Sequence, residues 1–375
     1  MTLSVICART ANETMPIEPP RRSDRRRDPA PLYDPAFEHD ACGIGFVADA
    51  GGKRLAEVLP LALRGLAALA HRGAFGADGA SSDGAGVSLP LTPSVFASLD
   101  LDATLGAEGP GVVQLFLPRT GAGARGGAAR RLVADVLRET GLTAIDWRTM
   151  PSNADALGGA ARACRPAFVQ VFVHRPWDAR TGACLSGSRL SDAAFERRLV
   201  VMRRRLEAAA RSAGLGDVIA VPSASCRTIV YKGLVAGARL PDLYPDLRAP
   251  GIRVPYAVFH QRYATNTQPT WRLAQPFRTI AHNGEINTVR GNRAQVRGRV
   301  GDLVAPSGIP PELANAGPLL AADGSDSQSL DEMLELLVAT GWDLGTALLT
   351  AMPEALGLRR APHPHVAALR RRTAG

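Results

Sequence analysis

The sequence predicts layers of helix packed on sheet. Three observations carry that expectation. Short apolar runs of strand length recur from residue 42 onward. Long stretches with apolar residues at helical spacing separate them. The composition, 46% apolar and 21% charged, is that of a chain able to bury a core. With 375 residues there is room for two average domains or one large one.

The elements follow in order. Residues 1–35 are rich in proline and charge, with RRSDRRRDP at 21–29 and no apolar periodicity, so they read as a disordered leader. Order is expected to begin near Tyr33–Phe37. CGIGFVA (42–48) reads as a strand. Leu55, Val58, Leu59, Ala62, Leu63, Leu66 and Leu69 recur at helical spacing, which predicts a helix over 55–70. The segment HRGAFGADGASSDGAG (71–86) is too glycine-rich to be regular. AGVSLPL and VVQLFLP read as strands, and 126–140 and 192–213 as helices. AFVQVFVH (167–174), RTIVYKGL (227–234), YAVFHQRYAT (256–265) and FRTIAHNG (277–284) read as strands, and 287–298 as a candidate helix. In 325–341, SDSQSLDEMLELLVATG, Ser325 or Asp326 can cap a helix that Gly341 terminates.

Composition also excludes function classes. The five cysteines are odd in number and none has C-x-x-C spacing, which argues against a structural zinc site and a disulfide scaffold. The net charge of +9 is uneven: five arginines and no acid fall in 357–375, leaving only +4 for the rest. A nucleic-acid surface needs a basic face on a folded domain, so no nucleic-acid partner is expected. Only Lys53 and Lys232 are lysines, and the arginine bias reads as genomic composition. No apolar run reaches the roughly 18–20 residues of a membrane span, and the start lacks a secretory pattern. The expectation is a cytoplasmic protein with no membrane partner.

Four features can carry chemistry, each with a plainer alternative. Cys42 stands at a strand start beside Gly43 and Gly45, open to a substrate; a lone cysteine is otherwise a small buried hydrophobe. In HQRYATNT (260–267), Arg262 leaves a strand end, where a guanidinium can grip a carboxylate with two donors; otherwise it is a surface arginine. In AHNGEINT (281–288), the Asn283 amide and the Gly284 N–H can converge as an oxyanion hole; otherwise Asn-Gly is a hairpin turn. Asp326 can hold an ammonium group, or cap its helix. Together these supply a thiol nucleophile, a carboxylate clamp, an oxyanion hole and an ammonium anchor. That set suits hydrolysis of an amino-acid side-chain amide, with glutamine the obvious substrate. Asp78 and Asp83, in the glycine-rich loop, fit no defensible metal spacing and are read as structural. Cys184 and Cys226 are read as core or loop thiols.

DACGIGF (40–46), ALAHRGAFGAD (68–78), SSDGAGV (81–87), RTIVYKG (227–233), the long block 259–292 and SDSQSLDEMLELL (325–337) occur in an order that resembles the glutamine amidotransferase domain of glutamate synthase large subunits. The resemblance spans residue 33 to about 355. It implies an α+β fold, the four-layer αββα sandwich of N-terminal-nucleophile hydrolases, here incomplete at the C-terminus. It implies that residues 1–41 are a propeptide whose removal makes Cys42 the N-terminus, so that the freed α-amine, of pKa roughly 8, is the base for its own thiol. By position it assigns the glutamine carboxylate to Arg262, with Thr265 nearby, the oxyanion hole to Asn283 and Gly284, and the glutamine amino group to Asp326.

The function so implied is the glutaminase half-reaction of glutamate synthase, through a Cys42 thioester, with ammonia passed to 2-oxoglutarate in the full enzyme. The alternatives are an amidotransferase for another acceptor and a non-catalytic truncated or frameshifted remnant. No cofactor is expected in this chain; FMN and an iron–sulfur cluster are implied for the full-length enzyme. The implied partners are L-glutamine, the remaining synthase domains and a small reductase subunit. The amidotransferase domain is expected over 42–356. From residue 357 the composition turns to Arg, Ala, Pro and His, which reads as out-of-frame translation or, alternatively, a genuine basic tail.

Overall fold

The computed structural model describes residues 43–76, 78, 80–101, 109–119, 124–177, 189–262, 268–284, 286–303, 309–352 and 363–373. Among these, eight strands form two antiparallel sheets of four. The first is ordered β1 (Ile44–Ala48), β8 (Tyr256–Gln261), β2 (Ala85–Pro90), β7 (Thr228–Gly233). The second is ordered β4 (Ala144–Thr149), β5 (Ala167–Val173), β3 (Gly111–Leu117), β6 (Ala220–Ser225). The fold is thus α+β, with the two sheets sharing a core. Val87 and Tyr231 of the first sheet pack in one cluster with Val112, Phe116 and Phe168 of the second. Helix α1 (Leu55–Ala68) joins that cluster through Val58, Leu59, Ala62 and Leu66, one helical face as the spacing predicts.

The opposite face of the second sheet is covered by α2 (Ala124–Glu139) and α3 (Asp192–Ser212). Val113, Leu115 and Leu117 alternate with the residues of β3 that face the shared core, so this central strand is buried on both sides. Helices α4 (Val289–Leu303), α5 (Asp326–Ala339) and α6 (Leu344–Ala351) follow. Helix α5 packs on α3, with Leu336 and Ala339 against Val200 and Val201. The Ser325 hydroxyl, not Asp326, caps α5 by accepting from the Gln328 N–H at 3.0 Å. Gly341, at φ 105°, lies just past its end, in the left-handed region that favours glycine. In the basic segment, Pro364–Thr373 is helical. No helix among the described residues is long and apolar enough to cross a membrane.

One expected strand is not a strand. Residues 277–284 run as irregular backbone. Their donors go elsewhere: the N–H groups of Thr279 and Ile280 both bond to Oδ1 of Asp331, at 2.7 and 3.3 Å, and the Phe277 N–H closes a turn onto the Ile280 carbonyl at 3.0 Å. A carboxylate on α5 thus takes the place of a neighbouring strand, and the apolar pattern alone cannot reveal that.

Candidate active site

Cys42 and Thr265 lie outside the described residues, and so do residues 1–41. The site is built from what surrounds them. Strand β1 continues one residue back from Ile44: the Gly43 carbonyl accepts from the Gln261 N–H at 2.7 Å. Gly43 is also tightly enclosed. A Cβ there would fall 2.5 Å from the Gln261 carbonyl oxygen and 3.3 Å from Oδ1 of Asn283. The Asn283 side chain therefore lies directly beside the residue that follows Cys42. Asn283 itself is exposed, and Gly284 is half-buried.

Asp326 reaches the same loop from the first turn of α5. Its Oδ2 accepts from the Ile286 N–H at 3.1 Å, two residues past Gly284, and its Oδ1 from the Ser327 N–H at 2.7 Å. It is buried. Arg293 on α4 steadies the cap of that helix by donating to the Ala322 and Ser325 carbonyls, at 2.8 and 3.3 Å.

Arg262 follows the last residue of β8 and is exposed. Its backbone is unusual, with φ at 101°, a region a β-carbon disfavours. The Arg262 N–H donates to the Gly84 carbonyl at 2.7 Å, and its Nε stands 3.9 Å from Oδ2 of Asp83. Burial pushes the Asp83 carboxyl above its ordinary pKa, against the opposing pull of hydrogen bonds and of Arg262. Asp83 was expected to serve the loop alone; the structure sets it beside the arginine. Asp78 does serve the loop, accepting from the N–H groups of Ser81 and Gly159 at 2.7 and 3.2 Å.

Two residues without an expected role also meet here. Gln261 is buried, and its Oε1 accepts from the Gly237 N–H at 2.7 Å. His260 is buried between the Arg262 and His282 carbonyls, and burial pulls its pKa down to about 4. Both stand inside the HQRYATNT block, but a buried polar side chain and an exposed one look alike in sequence. Cys226 is buried, and burial raises its thiol well above the ordinary value, with Glu196 reinforcing the shift.

The structure thus brings Asn283, Gly284 and Asp326 onto one connected loop-and-helix surface, with Gly43 against it and Arg262 two residues beyond His260. The described part of the site offers an exposed cation, a buried carboxylate and an amide beside the chain position of the thiol.

Comparison with known proteins gives the family. The family model for class II glutamine amidotransferases matches residues 42–369. The chain is 36% identical over 331 residues to the glutamate synthase [NADPH] large chain of Azospirillum brasilense, an alignment covering 87% of this chain and 21% of that protein. It is 37% identical over 321 residues to ferredoxin-dependent glutamate synthase 2 of Synechocystis, covering 85% of this chain and 20% of that one. It is 34% identical over 324 residues to the glutamate synthase [NADPH] large chain of Bacillus subtilis, covering 86% and 20%. The chain spans about a fifth of the length of these relatives. With a family match over most of its length, the chain belongs to the class II glutamine amidotransferases.

Proposed function

We propose that this chain performs the glutaminase half-reaction of a glutamate synthase. The Cys42 thiolate attacks the side-chain carbonyl carbon of L-glutamine. Its own α-amine, freed by removal of residues 1–41, takes the thiol proton and delivers it to the departing ammonia. Water then hydrolyses the γ-glutamyl thioester to glutamate. Arg262, with Thr265, binds the substrate carboxylate, and Asp326 its ammonium group. The Asn283 amide and the Gly284 N–H stabilise the oxyanion.

The observation that carries this reading is the contact of Asn283 with Gly43, which sets an amide beside the chain neighbour of the nucleophile. The identity to glutamate synthases along most of the chain favours that enzyme over an amidotransferase for another acceptor. In the full enzyme the ammonia passes to 2-oxoglutarate, and FMN, an iron–sulfur cluster and a reductase subunit belong to regions outside this chain. The two stacked sheets, with α2 and α3 on the outer face of the second, support three layers of a four-layer αββα arrangement.

The test has two parts. Mass spectrometry of purified, active protein is expected to find Cys42 at the N-terminus; activity with residues 1–41 attached rejects the α-amine base. A glutamine-like diazoketone is expected to label the protein once, and Cys42→Ala to abolish both label and turnover. Cys226→Ala is expected to change neither, since its buried thiol is held protonated. Equal loss in both variants means that the nucleophile is misassigned.

A further inference from the structure

Three consecutive residues, 260–262, touch Gly43, Gly84 and the His282 peptide. The Gln261 N–H holds Gly43, and the Arg262 N–H holds Gly84. His260, only 1% exposed, stands between two carbonyl oxygens: Nδ1 lies 2.8 Å from that of Arg262, and Nε2 3.0 Å from that of His282. The first belongs to the residue whose backbone is forced to φ 101°. Such a conformation is strained for a residue with a β-carbon and persists only where its surroundings fix it. The second belongs to the peptide immediately before Asn283, and the Asn283 side chain is itself a hydrogen-bonding neighbour of the imidazole.

A neutral imidazole has one N–H and can donate to only one of the two oxygens, while the other ring nitrogen meets its oxygen lone pair to lone pair. A ring kept for packing alone has no reason to stand between two buried acceptors. Its surroundings make sense as a spacer that sets the distance between two peptides.

We infer that His260 is a positioning residue for both halves of the glutamine site, fixing the Arg262 backbone that aims the carboxylate clamp and the His282 peptide that aims the oxyanion donor. This rests on the roles proposed above for Arg262 and Asn283.

The experiment is a pair of double-mutant cycles on the full chain, with kcat expressed per diazoketone-titrated site so that loss of folded protein is removed. His260→Phe keeps a planar ring and removes both polar contacts. It is expected to raise KM for glutamine and lower kcat per titrated site, each by roughly tenfold, the consequence of a misplaced reacting geometry. In an Arg262→Ala background its KM effect should largely vanish, and in an Asn283→Ala background its kcat effect. His260→Asn, which keeps a donor, should recover part of the loss. Unchanged KM and kcat in His260→Phe, or full additivity in both cycles, overturns the inference. If His260→Phe does not fold, His260→Asn is measured in the same cycles, with the same outcomes deciding. The parent single variants report separately: if Arg262→Ala and Asn283→Ala leave kinetics intact, the site assignment itself fails, whatever His260 does.

Discussion

Asn283 and Lys232 show how much one side chain can be asked to do. If Asn283 donates to the oxyanion, it acts chiefly when the amide oxygen gains charge in the tetrahedral intermediate. Asn283→Ala is then expected to lower kcat by about 10²–10³, or roughly 3–4 kcal/mol, with little change in KM. A raised KM with kcat intact in steady-state assays would make Asn283–Gly284 a binding turn. Lys232 makes a different prediction. It is buried, its Nζ donates to the Arg272 carbonyl at 3.1 Å and lies 4.8 Å from the centre of the Phe277 ring. Burial, with Arg278 and Arg272 adding repulsion against the attraction of Asp331, brings its pKa down to about 7. Between that value and its ordinary 10.5 the unfolded chain keeps a proton that the folded chain has released, so this group makes stability rise with pH across that window. Below it both states are protonated and the cost of the buried charge is fully present. The gap in Tm between Lys232→Met and the parent should therefore shift steadily against the variant from pH 7 to pH 10. A gap that does not move with pH excludes a depressed lysine. Asn283, Arg262 and Asp326 stood out in the sequence as candidates only as a group with Cys42, and the structure sets Asp326 against the loop that follows Asn283 and Gly284. His260 and Asp83 did not stand out, because their roles depend on burial and on who sits opposite, and neither leaves a periodic signal.

At the scale of elements, the strands and helices were read well where apolar spacing decides. Residues 55–68 and 192–212 became helices, and the runs at 44–48 and 228–233 became strands, because burial of one face or of both is what periodicity records. The segment 277–284 failed because its backbone partners come from a side chain on another element. Helix α5 bears most directly on the proposed site, since its first residue is Asp326 and its second turn carries Asp331. Its start depends on the Ser325 hydroxyl, 1% exposed. Ser325→Ala removes that cap and is expected to cost about 1 kcal/mol, within the usual 0.5–2. Because Asp326 adjoins the cap, the same variant should raise KM for glutamine more than it lowers kcat. A urea melt beside steady-state kinetics checks both, and a lost cap with an unmoved KM separates the helix start from the binding site.

Across the molecule, an ionic network reinforces the apolar packing of α5 on α3 and on the 277–284 loop. Arg203 on α3 pairs with Glu207 at 2.7 Å and with Glu335 on α5. Arg278, in the irregular loop, pairs with Glu335 at 3.2 Å and with Asp331 at 2.9 Å. Arg203 and Asp331 are almost fully buried, and Arg278 and Glu335 largely so. Burial raises the Asp331 carboxyl even against Arg278, so the pair is held at a desolvation cost. Removing one member leaves the others buried and uncompensated. Arg278→Met is expected to destabilise the fold by about 3–5 kcal/mol in denaturant unfolding. A loss under about 1 kcal/mol would mean that water already screens the network.

Asp331 also has a bearing on motion. An amide in a sheet interior opens only when a neighbouring strand lets go, but those of Thr279 and Ile280 answer to one carboxylate on a helix. Their protection from solvent hydrogen should then track the opening of α5 and not that of β8 or β2. Residues 279 and 280 are in this sense tethered to the helical side of the molecule, while the His282 carbonyl three residues from Thr279 is met by His260 of the sheet.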